Sequence, residues 1–184
     1  IKPAVSVYGI GFRRISTIKT AFQIMMEGGD HHIPYDDLRL MLSKVDRFPK
    51  MLLMEYLDGH EYSVACLCDY GRLVCAVSRK KPLRAGEGQL ITLRDEIVLA
   101  CREISAQFCL NGFINIQFRE GRSGLCVLEV NPRMSGGIGM ACLAGVNLPY
   151  FGVAGFDLGY DQILIPPVLD GLRVGEMNYP VVLP

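Results

Sequence analysis

In the stretch LEVNPRMSGGIGM (residues 128–140) a carboxylate, an amide and a guanidinium fall at every second position: Glu129, Asn131 and Arg133. Side chains two apart on an extended strand share a face. Upstream, FINIQFR carries Asn115, Gln117 and Arg119 at the same spacing, interleaved with Ile114, Ile116 and Phe118. If the two segments form a hairpin that keeps its oily faces together, Cys126, Leu128 and Val130 join Ile114, Ile116 and Phe118. Asn115, Gln117, Glu129 and Asn131 then gather on the opposite face. That cluster holds oxygen donors and one formal charge. It suits magnesium, a hard ion that keeps several waters and completes its shell from phosphate. Pro132 ends the ladder, and Ser135-Gly136-Gly137 leads into a helix whose first N–H groups can face an anion. Metal ligands beside an anion seat point to a phosphate-bearing substrate. The plainer reading of the same pattern is a polar sheet face turned to water.

Two hairpins and several helices must position these groups. EYSVACLCDYGRLVCAVSRKK reads as a hairpin turned at Asp69-Tyr70-Gly71, and FINIQFREGRSGLCVLEVNPR as a second. TLRDEIVLACREISAQFCLNG is the clearest helix, expected from a cap at Thr92 to a stop at Gly112. STIKTAFQIMMEGG is a helix with Ser16 as cap, and PYDDLRLMLSKV a helix opened by Pro34 with acids in its first turn. GDHHIP reads as a loop, KMLLMEYL as a short strand, and SGGIGMACLAGVNLPYFGVAGFDLG as one or two small-residue helices. Residues 1–5 and the tail from Leu172 read as strands. Antiparallel hairpins alternating with helices predict an α+β fold.

Half of the 184 residues are hydrophobic, enough to build a core. Lys plus Arg equals Asp plus Glu at 19 each, which argues against a nucleic-acid or anionic-membrane binder working by bulk charge. The basic run SRKKPLR (Arg79, Lys80, Lys81, Arg84) reads as a solvated loop, or as one that reaches an anionic substrate. His31 and His32 read as surface residues, and Arg13 and Arg14 as a helix surface. Seven cysteines without a C-x-x-C pair read as small hydrophobes in a reducing cytoplasm. No apolar run is long enough to span a membrane. The chain opens on Ile1 in mid-strand, which predicts a fragment of a longer protein.

VLEVNPRMSGG closely resembles the metal-binding signature of the ATP-grasp superfamily, above all its carbamoyl-phosphate synthase and biotin carboxylase branch. GFINIQF resembles the strand that precedes that signature, IKPAVSVYGIGF the strand and phosphate loop of the smaller lobe, and LLMEYLDGHEYSV the adenine hinge. The four segments follow in family order over about residues 1–155.

The resemblance implies an ATP-grasp fold of two α+β lobes with mainly antiparallel sheet and the nucleotide between them. Residues 1–57 would be a partial small lobe and 58–184 the large lobe. Lys2 would touch the α- or β-phosphate, and the loop from Ser6 to Phe12, with Tyr8, Gly9 and Gly11, would cover the phosphates. Glu55, Tyr56 and Leu57 would hold adenine, and Glu55 or Glu61 the ribose. Leu128 and Phe118 would flank adenine or belong to the core. Met25, Met26, Met51 and Met54 would line that pocket or the core. Glu129 would bridge two Mg2+ ions, with Mn2+ as a substitute, Gln117 on one and Asn131 on the other. Arg133 would face the transferred phosphoryl group.

The implied activity is an ATP-dependent carboxylate–amine or carboxylate–thiol ligase working through an acyl phosphate. Gln117 stands where many members carry an acid; the carbamoyl-phosphate synthase branch resembles this chain in using glutamine there. The phosphate loop has two glycines where members often have more. Members also have a preceding domain, so a missing N-terminal domain or partner chain is expected, with a homodimer as a further expectation. The alternatives are a nucleotide-binding module without chemistry and a phosphotransferase on the same scaffold.

Overall fold

A computed structural model describes residues 1–6, 9–28, 31–83, 87–177 and 182. The chain divides into two compact units, Ile1–Tyr56 and Leu57–Pro184.

In the first unit β1 (Lys2–Pro3) pairs antiparallel with β4 (Met51–Leu52), and β2 (Arg14–Ser16) pairs parallel with β3 (His32–Pro34). Helix α1 (Ala21–Met26) starts at Thr20, not Ser16. Thr20 accepts from the Gln23 N–H, and the Gln23 side chain accepts from the Thr20 N–H, a reciprocal box that satisfies two helix-end donors. Ser16 instead closes β2, with its hydroxyl taking the Lys19 N–H at 3.0 Å. The GDHHIP loop contributes strand β3, because Ile33 pairs with Ile15. Helix α2 (Tyr35–Ser43) follows Pro34, with Asp36 and Asp37 complementing its N-terminal dipole. Ile24 and Leu38 are buried, whereas Met25, Met26 and Met54 are exposed and do not belong to a core.

The second unit is built on a six-stranded antiparallel sheet. Its strands are β5 (Glu61–Asp69), β6 (Arg72–Lys80), β7 (Gln89–Ile91), β8 (Gly112–Gly121), β9 (Gly124–Asn131) and β10 (Arg173–Val174), in the order β10-β7-β6-β5-β8-β9. The β5–β6 turn places Tyr70 at φ 43° and Gly71 at φ 94°, the left-handed pair that matches strand twist in a tight hairpin.

Helix α3 (Asp95–Gln107) covers one face, setting Ile97 and Cys101 against Tyr62, Val64, Cys66, Ile114, Ile116 and Phe118. Helices α4 (Ile138–Cys142) and α5 (Leu148–Leu158) follow β9, and Met140, Ala141 and Leu148 pack with Ala65, Leu67, Val77 and Ile91 of the other face. Central strand β5 is therefore buried on both sides from Tyr62 to Cys68, which explains its unbroken apolar run.

Thr92 does not cap α3. Its N–H is bonded to the Ser78 carbonyl of β6 just past the end of β7, and the helix opens after Arg94. At its other end α3 stops at Gln107, and Gly112 opens β8. Cys66, Cys68 and Cys101 are buried, Cys109 is exposed, and the cysteines are free thiols. Among the described residues no helix is long and apolar enough to cross a membrane.

Candidate functional site

The site face is set by register. Gln117 stands directly opposite Glu129, and Asn115 opposite Asn131, across β8 and β9. On the other side of β8, Ser63 is opposite Gln117, and one strand further Arg79 is opposite Ser63. Arg79, Ser63, Gln117 and Glu129 thus form one row across four strands, with a cation at one end and a carboxylate at the other. Gln117 and Asn131 are half-buried and Glu129 is exposed. Asn131 Nδ2 donates to Glu129 Oε1 at 3.0 Å, so the amide oxygen of Asn131 is left for another partner.

The two strands do not stay in step throughout. A bulge follows Gln117, so Phe118 pairs with Val127 and Arg119 with Cys126, and Leu128 is the extra residue. The expected alternation of Cys126 and Leu128 with Val130 therefore fails: one added residue moves every side chain beyond it to the other face. Phe118 lies in the core under α3, on the face opposite Gln117, and does not flank the site.

Asn115 also departs from the expected ligand cluster. It is 1% exposed, and its Oδ1 accepts the Ser63 hydroxyl at 2.8 Å, so that oxygen is turned into the sheet. Ser63 in turn accepts from Arg79 Nη2 at 3.2 Å. The same nitrogen donates to Ser135 Oγ at 3.0 Å, and Nη1 to Gln89 Oε1 at 2.5 Å. Arg79 is therefore no solvated loop residue; it is 2% exposed. Burial pulls its pKa below the usual arginine value, and the charge of Glu176 opposes that. A Cβ on Gly137 would collide with this guanidinium, so the glycine before α4 is required by Arg79. Lys81 ion-pairs with Glu61 at 2.5 Å, while Arg84 lies outside the described residues.

Arg133 does not continue the strand alternation. Pro132 offers no N–H, β9 ends at Asn131, and the Arg133 N–H folds back onto the Asn131 carbonyl at 2.8 Å. Its exposed guanidinium donates to the Met134 carbonyl at 2.9 Å.

The remaining candidates are placed by their own units. Lys2 lies on β1 opposite Leu52. Gly9 and Gly11 adopt φ +70° and +82°, and Ser6 Oγ donates to the Ile10 carbonyl within that turn. Tyr8 lies outside the described residues. Glu55 and Tyr56 are exposed, and the Arg14 guanidinium stacks 4.0 Å above the Tyr56 ring; Arg14 itself starts β2 and is not on a helix. Leu57 packs over Gly121 of the β8–β9 hairpin. Ser63 and Gln89 were not singled out by pattern, and Ser135 was read only as part of the turn before a helix. Ser63 had one available signal, its position on a strand that could pair beside Gln117.

Gln117, Glu129 and Asn131 fit a hard divalent cation: three oxygen-bearing side chains on one sheet face, one charge, two of them half-buried and Glu129 exposed. Among the described residues no three His, Cys, Asp or Glu side chains converge. A cation held here would draw much of its charge balance from a bound phosphate.

Residues 47–180 match the family described as ATP-grasp in the biosynthetic pathway with Ter operon. The chain belongs to the ATP-grasp family. Among solved structures, an L-amino acid ligase from Bacillus licheniformis is similar at 18% identity and a TM-score of 0.40, over 54% of this ATP-grasp chain and 30% of that one. The ATP-grasp ligase PsnB, complexed with a phosphomimetic variant of its minimal precursor, Mg and ADP, is similar at 23% identity and a TM-score of 0.33, over 45% and 27%. N5-carboxyaminoimidazole synthetase from Staphylococcus aureus is similar at 14% identity and a TM-score of 0.37, over 48% and 27%. The chain thus spans less than a third of the length of these relatives. No curated protein matches the sequence.

Proposed function

We propose that this chain is part of an ATP- and magnesium-dependent ligase that activates a carboxylate as an acyl phosphate for attack by an amine or a thiol. The observation that carries the reading is the register that sets Gln117 against Glu129 and Asn115 against Asn131, inside the segment that matches the ATP-grasp family. On this reading residues 1–57 are part of the small lobe and 58–184 the large lobe. Gln117, Glu129 and Asn131 hold Mg2+, two ions in all with Mn2+ as a substitute. When bound, the metal neutralises developing phosphate charge. Gln117 in place of an acid favours the carbamoyl-phosphate synthase-like branch.

The residues of the chain bind and orient. Lys2 and the loop holding Tyr8, Gly9 and Gly11 grip the phosphates; Glu55, Tyr56, Leu57 and Leu128 take adenine; Glu55 or Glu61 takes the ribose. Arg133 gives donors to the equatorial oxygens of the transferred group. A carboxylate oxygen of the substrate attacks the γ-phosphorus and ADP leaves. The nucleophile then attacks the acyl carbon and inorganic phosphate leaves. A preceding domain or partner chain completes the carboxylate pocket, and the site of action is the cytoplasm.

Hydroxamate trapping tests this. With ATP, Mg2+, hydroxylamine and a series of carboxylic acids, the protein joined to its full natural chain should form acyl hydroxamate and ADP in equal amounts. A stable phosphorylated product without nucleophile would instead indicate a phosphotransferase. Thermal stabilisation by nucleotide with no ADP under any acid would indicate a module without chemistry.

A further inference from the structure

We propose that Arg79 is a positioning residue: its guanidinium, acting through Ser63 and Asn115 on one side and Ser135 on the other, locks the metal-ligand hairpin and the following glycine turn into one rigid unit. The inference rests on the reading of Gln117, Glu129 and Asn131 as metal ligands.

Arg79 occupies an unusual place for an arginine. It is 2% exposed, next but one to fully buried Val77 on the same strand face, and its side chain forms no ion pair among the described residues. Burying a cation is costly, the charge of Glu176 offsets that only in part, and an apolar residue of similar volume would be cheaper there. Its Nε has no acceptor among the described residues, so even hydrogen bonding does not fully compensate. What the guanidinium supplies is a planar fork. It ties Gln89 on β7, Ser63 on β5 and Ser135 beyond β9.

The fork also sets a direction. A guanidinium can only donate. Ser63 accepts from it and donates its own O–H to Asn115 Oδ1. Asn115 is thereby held with its oxygen away from Asn131, the residue directly opposite, whose amide is already engaged with Glu129. On the other side, Ser135 and Gly137 close around the same guanidinium, and the missing side chain of Gly137 makes room for it. The polar chain therefore runs from the glycine turn to Asn115, which the register sets opposite Asn131. Residues that orient metal ligands typically change metal affinity about 10- to 100-fold.

The test compares Mn2+ binding in the presence of ADP, read by electron paramagnetic resonance, in wild type, Arg79→Lys, Ser63→Ala and the double variant. Arg79→Lys keeps the charge and loses the fork. It should weaken Mn2+ binding by about tenfold or more. Ser63→Ala should give a large part of the same loss, and the double variant should be no worse than the weaker single, because the two act in one chain. Side-chain amide resonances of Asn115 and Asn131 should shift together in Arg79→Lys before any metal is added. A drop in melting temperature with Mn2+ affinity within twofold of wild type would make Arg79 merely structural and overturn the proposal. If Arg79→Lys does not fold, unchanged Mn2+ binding by Ser63→Ala overturns it alone. If wild type binds no Mn2+ with ADP, the ligase reading itself falls and takes this inference with it.

Discussion

Arg79 and Glu129 stand at the two ends of one row of side chains crossing four strands, with Ser63 and Gln117 between them. At about 4.8 Å per strand, the ends are roughly 14 Å apart along the sheet. One end is buried and braced, the other open to solvent. The row therefore grades from a rigid anchor to a face that can receive ligand, which is the order a preorganised site requires.

The anchor is sensitive to size next to it. Gly137→Ala pushes a methyl into the Arg79 guanidinium and is expected to destabilise the protein by about 1–3 kcal/mol in urea unfolding. Gly136→Ala meets nothing within 4 Å and should change stability by less than about 0.5 kcal/mol. Equal effects at the two positions would contradict the packing described.

A second network, on the α3 side, sets an acid limit. Glu120 accepts from the Tyr62 hydroxyl at 2.7 Å and from Arg94 at 2.6 Å, and these bonds hold its carboxyl at about 2, below its ordinary 4.5. A depressed folded-state pKa stabilises above the unfolded value and loses that contribution as pH falls from about 4.5 towards 2. Melting temperature followed over that window should fall more steeply in wild type than in Glu120→Gln. Parallel curves would remove Glu120 as a cause of acid sensitivity.

Thiol reactivity should report the two-sided burial of β5. Cys109 is exposed, while Cys66, Cys68 and Cys101 are buried. The Cys66 thiol is pushed up by its contact with Cys101 and by burial, and burial pushes Cys75 to about 11. Native alkylation mapped by mass spectrometry should label Cys109 first and leave Cys66, Cys68 and Cys101 until the chain is denatured. Early labelling of Cys66 would mean that the sheet opens far more readily than its packing implies.

How much of this was legible in the sequence depends on what each residue's pattern could reveal. The pairing of Gln117 with Glu129 was readable, because Asn115 and Gln117 alternate with apolar residues as Glu129 and Asn131 do, and the bulge begins only beyond that pair. The bulge at Leu128 was not, because Cys126-Val127-Leu128 offers no glycine or charge to mark an extra residue. Arg79 was misread for a physical reason: in a run of four basic residues, pattern cannot say which one the sheet turns inward. Thr20 lost to Ser16 as the expected cap because both carry hydroxyls, and the reciprocal partner Gln23 was the signal that separates them. The helix at α3 was plain from its period, but its start moved because Thr92 is retained by a bond to Ser78. Asn115 shared the spacing of Gln117, and only its contact with Ser63 distinguishes a buried brace from a ligand.

The central claim is that Gln117, Glu129 and Asn131 together grip a magnesium nucleotide. Calorimetric titration of ADP into wild type and Glu129→Gln, each with Mg2+ and with EDTA, tests it most directly. Wild type should bind ADP more tightly with Mg2+ than with EDTA, and Glu129→Gln should lose more than about tenfold in the Mg2+ series while matching wild type in EDTA. Equal Mg2+-dependent affinity in the two proteins would contradict the assignment.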